Sequence, residues 1–393
     1  MNYPLVSVFI PYYNDEKFLR ESIESVLNQR YENIELILLN HASTDSSRDI
    51  AHSYDDKRII HIDMDMNYGA GGGILIKEFI KRARGKYVKF FCADDIMYKN
   101  CLVDLLEYMN CNKDKDFVFG NIEYVDEVGN SYNDDWFKSR PHFSVNNDEI
   151  ECLKLYAKDI SFLPYIGSFV KKEVFDCIEI DLSMIMLFDM NLWIQLLLAG
   201  KKIGYLEKYV AGYRIHSQQV SAVGNLDVAL MRSYFERPPY RKSFAKCRSV
   251  DIIKAIFADS NYVHLLNDSR DIPFIVYEYY FSRFREDFVA MQLHDILQDD
   301  IYHQYLKSYF GYSIKDYRAK YSYFEKNTDD ICTENNPLQW DKNNKTSWKK
   351  KIYAHTVKEL TFSELIFLIA RKIFNVVTFA HIRHKRQKDK RSL

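Results

Sequence analysis

Two kinds of apolar spacing alternate near the start of the chain. The runs "VSVFI" (Val6 to Ile10) and "IELILL" (Ile34 to Leu39) are short, rich in β-branched or leucine side chains, and end in turn-forming residues. Strands buried on both faces look like this. Between them, "EKFLRESIESVLNQ" places Phe18, Leu19, Ile23, Val26 and Leu27 on one face of a helix. The cycle then repeats: a polar segment from Ser43 to Tyr54 that suits a helix, a strand at "RIIHI", a Gly-rich turn "NYGAGGG", a helix from Ile74 to Ala83, and a strand at "KYVKFF". Such alternation predicts an α/β fold with a mainly parallel sheet covered by helices on both faces.

Ligands of parallel sheets gather beyond the carboxyl ends of the strands. Four polar or special loops occupy that end here: "PYYND", "NHASTD", "NYGAGGG" and "CADD". They are expected to converge on one cleft. Beyond Asn225 the text turns Tyr- and Phe-rich and helical, so the expected organisation is an α/β domain over 1–224 and a helical appendage over 225–325. A polar linker over 326–348 and a basic amphipathic segment over 349–393 complete it.

A chain of 393 residues with 47% hydrophobic side chains buries a full core without staples. The net charge of −1 conceals a basic tail, because residues 349–393 carry twelve Lys/Arg against three Asp/Glu. Seven cysteines at irregular spacing, with no C-x-x-C pair, suit a reducing compartment better than a disulfide framework or a zinc site. The opening "MNYPLVSVFIPYYN" has no basic region ahead of its apolar run and is expected to be a first strand rather than a secretion signal. No uncharged apolar run reaches the roughly 20 residues of a spanning helix. Phe362, Leu365, Ile366, Ile369, Ile373, Val376 and Val377 instead form a stripe flanked by basic residues. That pattern fits a helix lying on an anionic membrane surface, or one docked on the protein's own body. The expected location is cytoplasmic, peripheral on the inner face of the membrane. Nucleic acid is not an expected partner, since no stacking-aromatic array accompanies the basic residues.

In "FFCADDIMY", Asp94 and Asp95 close a strand with two adjacent negative charges. Neighbouring carboxylates repel unless a cation or donor groups compensate, and a hard divalent ion shared with substrate phosphates would do so. An Asx turn or helix N-cap is the alternative.

In order and spacing, these loops resemble the amino-terminal half of family-2 glycosyltransferases, GT-A enzymes that use nucleotide sugars. The likeness is close over about the first 110 residues and looser to about residue 220. It implies that Pro11 and Tyr13 belong to the donor-base wall, with Tyr13 stacking on the base. "NHASTD" stands where relatives carry two leading acids, so Asn40 and His41 take over the contact with the base. Cys92 replaces the first acid of the D-x-D signature. The resemblance leaves Asp95 as the leading ligand for Mn²⁺ or Mg²⁺ and Asp94 to contact the ribose or share the metal. Lys77 is the candidate substitute for an arginine that relatives aim at the donor, and glycines 71–73 either approach a phosphate or form a flexible turn.

Farther on, "LFDMNLW" resembles the segment that carries the base, with Phe188 replacing a glutamate and Asp189 at the catalytic position. A sugar hydroxyl needs a carboxylate to receive its proton, and a cap for the following helix is the other use of such a residue. In "YRIHSQQVS", His216 is the candidate to reach the diphosphate or metal. The implied activity is inverting, metal-dependent transfer from a nucleotide-diphosphate sugar, with UDP-sugar the first expectation. The acceptor would be a saccharide or lipid-linked hydroxyl in cell-surface polysaccharide synthesis. A degenerate GT-A module that binds sugar or scaffolds a partner is the competing expectation, and a nucleotidyltransferase a third.

Overall fold

A computed structural model of the chain describes residues 4–69, 72–132, 148–217, 219, 226–284 and 287–319. The basic amphipathic segment over 349–393 and the linker before it lie outside these residues. The chain divides into two compact units, Met1–Pro273 and Phe274–Leu393.

The first unit is built on one mixed sheet. Its strands are β1 (Val6–Tyr12), β2 (Ile34–Asn40), β3 (Ile59–Asp63), β4 (Tyr87–Phe90), β5 (Ile96–Met97), β6 (Phe117–Val125), β7 (Ser168–Lys171) and β8 (Ile203–Arg214). Their order across the sheet is β3-β2-β1-β4-β7-β6-β8-β5. The first four run parallel, β7 is antiparallel to both its neighbours, and β6 and β8 are again parallel.

Two-residue periodicity sorts the side chains of β1 between the two helical layers. Val6, Val8, Ile10 and Tyr12 join Leu19, Ile23 and Val26 of α1 (Leu19–Leu27) in one core. Phe9 points the other way and stacks on Phe79 of α3 (Gly72–Arg82), centroids 4.4 Å apart; α2 (Ser47–His52) lies between α1 and α3 in sequence. On that second face, Trp193 from α6 (Phe188–Leu198) contacts the rings of Phe90, Phe117 and Phe119. Two further helices, α4 (Cys101–Cys111) and α5 (Glu149–Ala157), precede α6, and α7 (Leu226–Ala245) and α8 (Val250–Ile256) follow it.

The strand order places the reversal of chain progression between β1 and β4, the position where open sheets offer a crevice at their carboxyl ends. Pairing with β2 continues to Tyr12, but pairing with β4 stops at Phe9. Pro11 has no N–H to give to a ladder and sits just past that stop. The loops after β1 and β4 therefore start from strands that have already parted.

The helix α9 (Ile272–Phe284) begins at the unit boundary, and the second unit also holds α10 (Asp287–Gln298), α11 (Asp300–Tyr305) and a π-helix at Leu306–Phe310. Phe274 packs against Phe310 and Tyr312, and Phe281 stacks on Tyr317. The helical character expected after Asn225 is present. Among the described residues, no helix is long and apolar enough to cross a membrane.

Candidate active site

The loop after β1 and the loop after β2 are bound to each other before any ligand is considered. Asn14, with φ of 55°, accepts the Thr44 amide at 2.8 Å through its side chain. The Asp15 amide donates to Ser47 Oγ at 2.8 Å, and Glu16 accepts the Ser46 amide at 3.0 Å. Asn in the left-handed region is tolerated because its short polar side chain bonds locally. Together these contacts fix the wall on which Tyr13 stands 44% exposed, free to offer a ring face.

Behind Tyr13 lies His41, buried, its ring 6.4 Å from Tyr13 and 6.0 Å from Tyr68. The Tyr68 amide donates to His41 Nε2 at 2.9 Å, so this nitrogen carries no proton. Burial holds the ring below the usual histidine range and hence neutral. The neutral imidazole then bears its hydrogen on Nδ1 and offers a donor. Asn40 is also buried, and its amide is engaged at both ends: Nδ2 donates to Asp63 at 2.9 Å and Oδ1 accepts from the Ser43 amide at 2.9 Å. It shapes the loop.

Asp94 and Asp95 do not cap a helix. They precede the two-residue strand β5, and α4 begins only at Cys101. Asp95 is 1% exposed; its Oδ1 accepts the Arg214 amide at 2.8 Å, while its Oδ2 is buried with no hydrogen-bond partner. Burial first, and then the charge of Asp94, push its carboxyl well above the ordinary range. Asp94 turns its Oδ2 to His216 Nε2, 2.9 Å away. The ligand atoms of Cys92, Asp94 and Asp95 all lie within 4.8 Å of one another. Burial pushes the Cys92 thiol upward, which leaves it a poor ligand for a hard cation.

Arg214, at the end of β8, holds this arrangement together. Its side chain is wholly buried, donates to the Asp94 carbonyl at 2.7 Å and to the Glu127 carbonyl at 2.5 Å, and pairs with Glu21 at 2.6 Å. Phe18 lies under its guanidinium at 4.7 Å and against the His216 ring at 4.7 Å. Asp15 faces the same cluster. Burial, followed by the charge of Asp94, raises its carboxyl to about 7 against the opposing pull of the Tyr13 amide and, less strongly, His216. The Tyr13 amide donates to Asp15 at 2.8 Å, so the exposed ring of Tyr13 and this carboxylate are fixed within one short loop. Neither Asp15 nor Arg214 is among the sequence candidates, although both lie inside quoted runs, "PYYND" and "YRIHSQQVS".

Asp189 stands in the first turn of α6, whose N-cap is Leu187. It is half-buried, its Oδ1 accepts the Met190 amide at 2.7 Å, and burial raises its carboxyl to about 6. Tyr165 stacks on Phe90 at 5.1 Å, and burial first, with the charge of Asp189 adding to it, pushes its hydroxyl well above the ordinary range. Phe188 contributes an apolar edge to that tyrosine at 5.4 Å.

Two sequence candidates lead elsewhere. Lys77 lines a cavity of about 1010 Å³ between α3, α6 and the 242–249 segment. Gly72 and Gly73 make room for another piece of chain: a Cβ on Gly73 would meet the Asp181 carbonyl at 2.0 Å, and one on Gly72 the Met184 carbonyl at 2.0 Å. Close packing of the 181–185 turn is what these two glycines permit.

Residues 7–178 match the model of Glycosyl transferase family 2. An uncharacterized glycosyltransferase of Methanocaldococcus jannaschii is 30% identical over 219 residues, 55% of this chain and 72% of that protein. The chain belongs to glycosyl transferase family 2. Its mixed, mainly parallel sheet with flanking helices is the GT-A arrangement of that family. The match to an uncharacterized glycosyltransferase of Rickettsia felis, 37% identical over 132 residues, covers 33% of this chain but only 21% of that protein. Among solved structures, residues 1–349 of Staphylococcus aureus TarS in complex with UDP align with a TM-score of 0.49 at 16% identity, covering 82% of this chain and 91% of that one.

Proposed function

We propose that this glycosyltransferase moves a sugar from a nucleotide-diphosphate donor, UDP-sugar first, to a hydroxyl of a saccharide or lipid-linked acceptor, inverting the anomeric centre. The observation that carries this reading is the orphaned, buried Oδ2 of Asp95 beside the Asp94 and His216 pair. An unpaired buried carboxylate oxygen is costly, and a divalent cation is the partner that suits it. Asp95, Asp94 and His216 supply a hard, oxygen-rich donor set, which fits Mn²⁺ or Mg²⁺. Such an ion, when bound, offsets charge developing on the departing diphosphate.

The chain's own residues account for the rest. Tyr13 stacks on the base, and His41 offers a hydrogen to a keto oxygen of the base where relatives hold a carboxylate. The acceptor hydroxyl attacks the anomeric carbon from the face opposite the diphosphate. As the new C–O bond forms and the bond to the diphosphate breaks, the hydroxyl proton passes to Asp189. A carboxyl near 6 is charged at neutral pH yet basic enough for this task. Cell-surface polysaccharide synthesis at the cytoplasmic face of a membrane is the setting we propose.

Cys92 and Phe188, apolar where relatives have acids, favour the second reading, a silent module that binds sugar. The test is a panel of UDP-, GDP- and CDP-sugars with and without Mn²⁺. Metal-dependent release of nucleoside diphosphate, lost in Asp95→Asn, supports catalysis. Binding without turnover would leave the silent module, and no binding across the panel would end both readings.

A further inference from the structure

The turn that delivers Asp189 is gripped from two sides. On one, the Gly73 amide donates to the Met184 carbonyl at 3.0 Å, and the packing of Gly72 and Gly73 admits no side chain. On the other stands Glu236, a buried carboxylate on α7. Its Oε1 accepts the Ile185 amide at 2.8 Å, and its Oε2 accepts the Met186 and Leu187 amides, each at 2.7 Å. Three successive amides thus converge on one carboxylate just ahead of α6. These amides precede a helix, where N–H groups have no intrahelical partner, so the charge of Glu236 is met by donors that need it. Glu236 in turn stands on a helix anchored nearby: Arg241 pairs with Asp159 at 2.8 Å, and Ser243 donates to Asn191 of α6 at 2.8 Å.

We infer that Glu236 is a positioning residue for the transfer reaction: through the 185–187 turn it sets where the carboxylate of Asp189 points. The inference rests on the assignment of Asp189 as the base. A loop tethered only by its own ends would let that carboxylate wander, and misplacement of a catalytic group by about 1 Å costs on the order of a hundredfold in rate. Glu236 also places a negative charge within range of Asp189, which adds to the upward push of burial.

The test measures nucleoside diphosphate release from the best donor of the panel, with water as acceptor, for Glu236→Gln, Glu236→Asp and Gly73→Ala. Each variant is made with and without Asp189→Asn, and amide exchange is followed at residues 185–187. A role through Asp189 lowers kcat about 10- to 100-fold with donor KM nearly unchanged. It also moves the acidic limb of Glu236→Gln to lower pH, and adds no further loss in the Asp189→Asn background. Equal losses in both backgrounds, or a lower Tm with unaltered kcat and pH profile, would overturn the inference. Exchange keeps the outcome decisive if turnover is weak or one variant misfolds: amides 185–187 must exchange faster in whichever Glu236 variant folds, and unchanged exchange also overturns it. Asp189→Asn with undiminished kcat defeats the assignment of the base itself, and exchange at the turn then reports the grip of Glu236 separately.

Discussion

His216 Nε2 lies 2.9 Å from Asp94 Oδ2, joining the end of β8 to the loop after β4. Two residues earlier, Arg214 holds the same loop through the Asp94 carbonyl and the Asp95 carboxylate. One short stretch, "YRIH", therefore brings a buried cation and an imidazole to a pair of acids more than a hundred residues away in sequence.

Replacing His216 with alanine removes the partner that orients Asp94 and a candidate ligand of the cation. Outer-sphere and ligand partners of this kind are worth about 10- to 100-fold in metal affinity. Calorimetric titration of UDP is expected to show the Mn²⁺-dependent part of binding reduced by about that factor, with the metal-independent part kept. An unchanged Mn²⁺ effect would remove His216 from the metal's surroundings.

Arg214→Met is expected to destabilise the first unit by about 3 kcal/mol, because carbonyls of Asp94 and Glu127 lose a charged donor in the interior. Glu21, half of whose side chain is exposed, adds little to that figure. Urea unfolding of the two proteins decides the matter.

Activity should rise with pH through about 6 as the proposed base ionises. Burial raises the Asp189 carboxyl to about 6, and a base must be ionised to accept a proton, so rate is lost as pH falls below that value. The same raised value makes the folded state hold its proton more tightly than the unfolded chain, so this residue's contribution to stability declines from about pH 4 to about pH 6. Asp189→Asn should remove the limb near pH 6 and this residue's share of the stability decline, leaving the share that Asp15 contributes. A limb that survives the substitution belongs to another group.

Tyr13→Ala removes the exposed ring of the base wall while leaving the backbone contact to Asp15 intact. Loss of one stacking face costs about 1–3 kcal/mol per base. Equilibrium binding of UDP should weaken about tenfold or more, with ribose 5-phosphate as the control ligand that does not respond.

Much of the parallel half was legible because its signals are local. "VSVFI", "IELILL" and "KYVKFF" carry strand character within a few residues, and the direction of a parallel sheet then brings their following loops together. The strands β6 to β8 carry weaker signals: β7 has four residues, and β6 contains Gly120 and shifts its register against β8 just after it. The site divides in the same way. Tyr13, Asp94 and Asp95 sit in loops whose neighbours announce them. Glu236 could not be found that way, because its meaning comes from three amides some fifty residues earlier, and its own helix, interrupted by Pro238 and Pro239, carries no pattern that points to them. Gly72 and Gly73 were visible as glycines, but only the return of the 181–185 turn gives the reason.

The stitching of Asn14 to Thr44 and of Asp15 to Ser47 has a practical outcome for protein engineering. The loops after β1 and β2 are locked to each other within the opening fifty residues, whereas the stretch from Asp181 to Asp189 leans on α3 and α7. Libraries that vary the exposed Leu182 and Ser183, while keeping Asp189 and the 185–187 turn, leave both the first wall and the grip of Glu236 undisturbed.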